Sequence, residues 1–385
     1  MNAPPRIRCS TFDPAGACRQ KGFTLTELMV AITISLLVMV ALSSVFINIT
    51  RSNGEMANAS RQIENGRLAM QLLQNDIAHA GFWGEYVPQF QDLTAAGIPA
   101  DVPDSIPNPC LAYTPADWTV AHQKNLIGIA VHANDAIWSA CASLLTNKQP
   151  DTDVIVVRHA EICAVGEVQC EADTSGKLYF QSSLCANEAG SPYELGTTGF
   201  LLHKRDCTTL ANKRKFVSTI YYIRDHATAP GDAIPTLVRS QFDLASGTLA
   251  HQAPVALIEG IEGFRVEFGI DSLSDTGAPV NYAQSIAWAN SASLTSPTNR
   301  GDGIPDGPFI RCTTAAPCTA AQMSNAVAMK VHLVARGGDM TPGYTDTKTY
   351  TMAGINWTPV NLRYKRHLFS STVRLTNISG RRETP

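Results

Sequence analysis

The feature that most constrains this chain is an almost purely apolar run of 20 residues, from Leu28 to Ile47. In an α-helix such a run rises about 30 Å, at ~1.5 Å per residue, which matches the hydrocarbon thickness of a lipid bilayer. The sequence therefore predicts a membrane-spanning helix near the N terminus. A polar, basic stretch precedes this helix and ends at Gly22.

Glu27 lies at the beginning of the apolar helix, where a charge costs ~2.5 kcal/mol or more unless a partner neutralises it. A secretory signal loses its apolar region on cleavage, whereas cleavage after Gly22 would keep this helix and create a new amine on Phe23. That amine, with a reference pKa of about 8, is a cation at neutral pH and the natural partner of Glu27. An amine on a neighbouring helix can also reach Glu27, which would select one axial register between helices.

The segment KGFTLTELMVAITISLLVMVAL, residues 21–42, resembles the class III signal and N-terminal helix of type IV pilins and type II secretion pseudopilins. The resemblance implies cleavage after Gly22 by prepilin peptidase and N-methylation of Phe23. It also implies that Glu27 is the assembly glutamate. The alternative interpretation is a plain membrane anchor with an incidental glutamate.

The charge distribution indicates the orientation of the chain. Residues 1–22 carry four basic side chains and one acidic side chain, and we interpret them as a cytoplasmic leader without a fold, so the bulk of the chain faces outward. Removing this leader changes the formal net charge from −3 to −6. This balance argues against general nucleic-acid binding, which needs a basic face.

The sequence has ten cysteines, two of which lie in the leader. An even number in an exported region predicts disulfides, although eight cysteines allow 105 pairings. We expect sequential pairing, with Cys163–Cys170 and Cys312–Cys318 as small loops. A zinc site is the alternative, but the spacings contain no CxxC pair. The eight candidates are Cys110, Cys141, Cys163, Cys170, Cys185, Cys207, Cys312 and Cys318.

We expect one helix over residues 23–80, with a transmembrane half at 23–47 and a head-packing half at 48–80. No proline interrupts it, and Gly81 supplies a C-cap signal. Gly54 and Gly66 each cost about 1 kcal/mol relative to alanine, which predicts local bending or fraying. The predicted packing stripe repeats every seven residues, at Ile49, Met56, Ile63, Met70 and Ile77.

The remaining residues, 81–385, predict a globular β-rich head. Residues 88–150 have weak periodicity, and we interpret them as a loop-rich insertion over one edge, with Trp118 and Trp138 covering the core. Alternating apolar and polar residues then predict a meander of antiparallel strands with one buried face. The predicted strands cover residues 153–159, 215–225, 236–242, 264–270, 328–336 and 366–377, and the second and third of these form a hairpin.

Four blocks extend the resemblance to the PilW type of minor pilin: NDIAHAGFWGEY, IEGFRVEFGID, VHLVAR and RHLFSSTVRLTN. Their order is similar to that of the family. The resemblance implies an α+β fold, the type IV pilin-like lollipop, in which a long N-terminal helix packs on a mostly antiparallel sheet. The family's last strand usually ends in Leu-Arg-Asn, where this chain has Leu375-Thr376-Asn377.

The resemblance implies a minor pilin that helps to initiate a type IV pilus and sits at its tip. The implied partners are other minor pilins, the major pilin, a PilY-type tip protein and prepilin peptidase. The implied location is the inner membrane, with the head in the periplasm, and then the pilus tip. Two alternatives are a J-type minor pseudopilin of a type II secretion system and an adhesive or DNA-binding tip module using Lys213-Arg214-Lys215.

One segment is similar to a calcium loop. In NRGDGIPDG, residues 299–307, Asp302 and Asp306 are candidate calcium ligands, but Arg300 is a poor neighbour for the ion. A simple Asp-Gly turn is the alternative. We find no GxSxG, HExxH or GxxxxGK[ST] motif, so we expect a substrate of processing enzymes rather than an enzyme.

Overall fold

The computed structural model describes residues 22–383, which form four α-helices and fifteen strands. The chain divides into two compact units, Met1–Met56 and Ala57–Pro385. The helices are α1 (Leu25–His79), α2 (Val120–Gly128), α3 (Ala320–Ser324) and α4 (Thr376–Ser379), with 3₁₀ turns at Gln89–Gln91 and Ser139–Cys141. The long N-terminal helix and the antiparallel strands confirm the predicted α+β class.

The strands fall into two main sheets and two small hairpins, and the ladders between them are antiparallel. They are β1 (Val131–Asn134), β2 (Val154–Ala160), β3 (Tyr179–Ser182), β4 (Tyr193–Gly196), β5 (Lys213–Arg224), β6 (Thr236–Ala245), β7 (Thr248–His251), β8 (Val255–Glu259), β9 (Ile261–Ile270), β10 (Trp288–Asn290), β11 (Thr295–Pro297), β12 (Ala326–Arg336), β13 (Tyr350–Met352), β14 (Ile355–Trp357) and β15 (Arg366–Arg374).

The larger sheet has eight strands in the order β1-β2-β5-β3-β4, with β6 pairing β5, β7 and β8. The smaller sheet has the order β15-β12-β9. The predicted hairpin is present as the β5–β6 ladder, but a simple meander is wrong for the larger sheet because β5 pairs with β2 and β3 as well. The inner faces of both sheets share one core with α1.

The second half of α1 follows the predicted seven-residue stripe at Met70 and Ile77, which are buried, but not at Met56, which is 68% exposed. Ile63 is 45% exposed, whereas Asn58 and Gln62 are buried. The physical reason is that a strict heptad repeat drifts by ~20° per heptad on a straight helix, so it cannot follow one packed face. The buried positions are Asn58, Gln62, Gly66, Ala69, Met70, Leu73 and Ile77.

Polar side chains join the N-terminal part of this face to the end of β12. Asn58 Oδ1 accepts a hydrogen bond from the Gly338 amide at 2.8 Å, and its Nδ2 donates to the Asp339 carbonyl at 3.1 Å. Gln62 Nε2 donates to the Ala335 carbonyl at 2.9 Å. Buried amides are stable here because backbone partners satisfy them.

Gly66 permits a close approach between α1 and the smaller sheet. A Cβ atom at this position would lie 2.1 Å from a ring carbon of Phe369 on β15. The helix continues through both Gly54 and Gly66, so the predicted bending or fraying does not interrupt α1. Gly66 therefore provides space for an aromatic ring.

The C-terminal end of α1 is held by the C-terminal part of the chain. Asn377 Nδ2 donates to the carbonyls of Ala78 and Ala80, at 3.1 and 3.3 Å. Gly81, with φ +75°, then lets the chain leave the helix. Thr376, where the family pattern has arginine, is exposed, whereas Leu375 is fully buried. The departure from the triplet therefore falls at its solvent-facing position.

The predicted insertion at residues 88–150 contains part of the main architecture. It holds α2 and also β1, which pairs with β2 in the larger sheet. Trp118 is 4% exposed in an aromatic cluster around Trp83, and Trp138 packs partly buried beside a third cluster. The elements α2 and β1 are short, and β1 is the edge strand of the sheet order β1-β2-β5-β3-β4. That residues 88–150 are an insertion stays a prediction.

Replacing Gly66 by alanine is expected to lower stability, because the overpacking cost of ~1–3 kcal/mol exceeds the helix-propensity gain of up to about 1 kcal/mol. Gly54→Ala is the matched control, since no atom lies within 4 Å of its added Cβ. That control should be neutral or stabilising. The measurement is the thermal unfolding midpoint of the full chain in detergent, and equal shifts in the two variants would contradict the Phe369 contact.

Stability should also depend on pH through His159 on β2. Burial alone would lower the pKa of His159, but the hydrogen bond and charge of Asp76 and the carbonyl of Ala160 raise it overall. A histidine whose pKa is raised by folding stabilises the folded state. This stabilisation is complete below the unfolded-state pKa of about 6.5 and is lost as the pH rises through the folded-state pKa. The thermal unfolding midpoint of the wild type should therefore rise as the pH falls from 8 to 6, and His159→Gln should reduce this rise. An unchanged rise would exclude this pair as its source.

Candidate functional site

The candidate functional site is the N-terminal segment of residues 22–27, where α1 begins. Thr24 precedes the helix and forms a capping box with Glu27. The Glu27 amide donates to Thr24 Oγ1 at 3.2 Å, while the Thr24 amide and hydroxyl donate to Glu27 Oε2 at 2.9 and 2.8 Å. The carboxylate thus has a local partner through one of its two oxygens.

The sequence analysis identified Glu27 but missed Thr24. The signal was present, because Thr-x-x-Glu immediately before an apolar run is the capping-box pattern. Phe23 precedes the box and is 85% exposed. Gly22 is also exposed, and a Cβ atom added to it would meet no atom within 4 Å. Gly22 is therefore not required for packing.

The helix that follows has the composition of a membrane span. Among the described residues, α1 is the one helix long and apolar enough to cross a bilayer. The most apolar 18-residue window of this helix has a mean hydropathy of 2.6, and none of it is buried within the chain. Such a helix near the N terminus is consistent with membrane anchoring.

The structure forms three disulfides, Cys110–Cys141, Cys185–Cys207 and Cys312–Cys318. They follow the expected sequential order. Cys163 and Cys170, the remaining pair, are thiols in the structure, contrary to the expected fourth disulfide. Their side chains are neighbours, since the hydrogen bond with Cys163 and partial burial raise the pKa of Cys170 to about 11.

The carboxylates of the predicted calcium loop cap backbone amides. Asp306 Oδ2 accepts from the amides of Ser272 and Leu273, both at 2.7 Å, and Asp302 Oδ1 accepts from Ile304 at 2.9 Å. The described residues contain no group of three or more His, Cys, Asp or Glu side chains arranged for a metal. Calcium binding at Asp302 and Asp306 stays a prediction.

Asp271, which lies outside that loop and which the sequence analysis missed, accepts hydrogen bonds from the backbone of the loop. Asp271 Oδ2 accepts from the Gly303 amide at 2.8 Å and from Arg382 Nη1 at 2.9 Å. A Cβ atom at Gly301 would lie 2.1 Å from this carboxylate, so a glycine is needed at this position. A guanidinium from the C terminus therefore supplies the positive charge next to this loop, and no local pattern could reveal a partner 111 residues away.

The basic cluster Lys213-Arg214-Lys215 lies on β5, inside the larger sheet, where β3 pairs with these residues. Each cation has an acidic partner. The ion pairs are Lys213–Asp173 at 2.7 Å, Arg214–Glu85 at 3.4 Å, Lys215–Glu171 at 2.9 Å and Lys215–Asp243 at 3.1 Å.

Comparison with known proteins gives two family matches. Residues 220–377 match the family described as type IV pilus-assembly protein W, and residues 18–43 match the prokaryotic N-terminal methylation motif. No curated protein sequence matches the chain. The first match begins within β5 and ends at the α1-capping Asn377.

Among solved structures, the chain is similar to the type IV-like pilin TTHA1219 from Thermus thermophilus. The identity is 10% and the TM-score is 0.32, over 82% of this chain and 96% of that chain. The two family matches contain the methylation-type N terminus and the strands β9, β12 and β15. The chain therefore has a methylation-type N terminus and, over residues 220–377, the sequence pattern of type IV pilus-assembly protein W.

Proposed function

We propose that this pilin is cleaved after Gly22, methylated on Phe23, and used to initiate a type IV pilus at whose tip it remains. The observation that supports this proposal most directly is the position of Glu27. It is the only charged side chain between Lys21 and Arg51, and it lies at the first turn of an exposed apolar helix. A charge at this position needs a partner when the helix enters an apolar environment.

Cleavage supplies that partner. The new amine of Phe23 is cationic at neutral pH, and among packed apolar helices its attraction to a carboxylate is stronger than in water. The capping box already engages Glu27 Oε2 through Thr24. An amine from a neighbouring subunit can then pair with the same carboxylate, and only one axial offset between the helices brings the two charges together.

The proposed location follows from the charge and cysteine patterns. The basic leader stays in the cytoplasm, the apolar helix holds the precursor in the inner membrane, and the head faces the periplasm. Three disulfides suit that oxidising compartment. The proposed partners are prepilin peptidase during processing, then other minor pilins, the major pilin and a PilY-type tip protein.

The tip position is supported by the elaboration of the head. Residues 88–210 add α2, β1, β2, β3, β4 and two disulfides to the part that matches the family. Additions of this size are easiest to accommodate where the fewest neighbours surround a subunit, which is the end of a filament. Since Lys213-Arg214-Lys215 is paired within the sheet, the geometry does not favour the alternative of a DNA-binding module.

Processing is tested by Gly22→Ala, which the open space around Gly22 allows without disturbing the fold. We expect the wild-type chain from native membranes to begin at methylated Phe23 and the variant to keep its leader. The measurement is intact mass with N-terminal sequencing, and Gly54→Ala serves as a glycine control. A wild-type chain that still begins near Met1 would contradict the proposal.

Assembly is tested by two variants that separate charge from capping. Glu27→Gln keeps an oxygen that can accept from Thr24 but removes the negative charge, so we expect loss of surface pili with normal processing. Thr24→Val removes the capping hydroxyl, which costs ~1 kcal/mol of helix stability, but keeps the charge and should retain pili. The measurements are pili per cell and the position of an antibody to the head along each filament.

The opposite pattern, pili in Glu27→Gln and none in Thr24→Val, would show that capping is decisive and would overturn the charge argument. Label distributed along the shaft would overturn the tip position. Normal pili in a deletion strain that fails in type II secretion would assign the chain to a pseudopilus instead.

A further inference from the structure

The smaller sheet has two outer edges, formed by β9 and β15, and the chain covers them differently. In an antiparallel ladder, the backbone groups of every second residue point towards the neighbouring strand, and those of the residues between them point away from it. The ladder between β12 and β15 runs without a register shift from the pair Arg336–Arg366 to the pair Ala328–Arg374. The direction of each backbone group on β15 therefore follows from the ends of this ladder.

Two hydrogen bonds that flank the ladder fix this alternation. The Leu375 amide donates to the Val327 carbonyl, and the Gly337 amide donates to the Lys365 carbonyl, both at 2.9 Å. The odd-numbered residues of β15 therefore bond to β12, and the even-numbered residues direct their backbone groups away from the sheet. These outward groups have no hydrogen-bond partner in the part of the chain that the structure describes. The outward residues are Arg366, Leu368, Ser370, Thr372 and Arg374.

The opposite edge, on β9, shows how this chain satisfies such groups. By the same alternation, the even-numbered residues of β9 point away from β12. The Phe264 carbonyl accepts from the Asp153 amide at 2.8 Å, and the Val266 amide donates to Asp153 Oδ2 at 3.0 Å. Phe268 exchanges both of its backbone hydrogen bonds with Ile310, at 2.7 and 2.9 Å. Other segments of the chain thus cover the β9 edge, whereas β15 has no such cover among residues 22–383.

The middle of β15 is also accessible. Edge strands are often protected by short length, a proline or a β-bulge. β15 has nine residues without a proline, and its register with β12 contains no bulge. Ser370 and Thr372 are exposed, and Leu368 is half-buried. An added strand can therefore reach the unpaired backbone groups.

We propose that Leu368–Arg374, here called the β15 edge, binds an extended segment of another protein, which joins the smaller sheet as a fourth strand. In this mode backbone hydrogen bonds supply the affinity, and side chains opposite each other supply the specificity. β15 contains no acidic residue, and the Arg374 side chain is 50% exposed beside an equally exposed Glu383. An exposed ion pair of this kind is weak, so the arginine is able to engage a second carboxylate. The bound segment therefore carries an acidic residue opposite Arg374.

A second copy of this chain is the less favourable occupant. Since β15 has no acidic residue, no register between two copies of this strand places a carboxylate opposite Arg374. The antiparallel register with the greatest overlap, centred on Ser370, instead places Arg374 of each copy opposite Arg366 of the other. Like charges directly opposite each other destabilise a sheet. The surface belongs to the head and is independent of the proposed processing at the N terminus.

The test uses the full-length protein in detergent and a fluorescein-labelled peptide, Glu-Thr-Val-Thr-Val-Thr-Glu, with binding measured by fluorescence anisotropy. Methyl groups on the three threonine amides block one edge of the peptide, so that it cannot form sheets with itself. The control peptide carries methyl groups on the two valine amides as well, and it should bind at least about 10-fold more weakly because two hydrogen bonds are lost. Equal affinities, or no binding of the first peptide, would overturn strand addition.

The acidic residue is tested with a peptide that has glutamine in place of both glutamates. We expect its affinity to be about 2- to 5-fold lower, and Arg374→Gln should remove the difference between the two peptides. A difference that persists in Arg374→Gln, or equal binding of the two peptides to the wild type, would overturn the charge assignment.

Two variants at one position locate the site. Thr372→Pro removes an outward amide that the β12 ladder does not use, and proline is tolerated on edge strands. It should abolish peptide binding, whereas Thr372→Val keeps the amide and should bind as the wild type does. Thermal unfolding shows whether both variants fold, and the comparison of methylated peptides on the wild type stands without them.

Full peptide affinity in folded Thr372→Pro would place the peptide elsewhere and overturn the site. Size-exclusion chromatography with light scattering tests the alternative occupant. A wild-type dimer that Thr372→Pro converts to monomer would assign the β15 edge to a second copy and overturn the proposed partner.

Discussion

The packing of the second half of α1 against both sheets is the contact on which the head depends. The residues that make it are of three kinds: buried amides at its start, Gly66 in the middle, and apolar side chains towards Ile77. The side-chain amides of Asn58 and Gln62 bind backbone groups at the end of β12, and Gly66 lets β15 approach the helix. Apolar burial alone is non-directional, so these specific contacts determine where along the helix the sheets sit.

Local patterns predicted the parts of the molecule whose partners are close in sequence. The processing and assembly roles of Gly22, Phe23 and Glu27 stay predictions, which rest on seven residues followed by an apolar run. The strands β9, β12 and β15 were identified from alternation, but the expectation of one solvent-facing side is wrong for β9 and β12, in which residues of both faces are buried. The three disulfides were expected from sequential order, but the reduced state of Cys163 and Cys170 in the structure could not be read from spacing.

The parts that sequence analysis missed have distant partners. Asn58 and Gln62 look like solvent-facing residues until the carbonyls and amides of residues 335–339 are placed beside them. Asp271 gives no sign of holding residues 301–303, because Arg382 reaches it from the C terminus. β1 has only four residues in a stretch of weak periodicity, so its place in the larger sheet depends on β2.

The Asn377 cap on α1 has a consequence for the order of folding. Its hydrogen bond to Ala78 joins residues 299 positions apart, so the end of α1 is completed only after the strands between these residues have been made. Contacts of such separation form slowly and late. During synthesis α1 is made long before its capping residue. The apolar face of residues 69–77 therefore stays exposed until the strands that cover it have been made. The head thus closes only when β15 and the capping residue beyond it have been made.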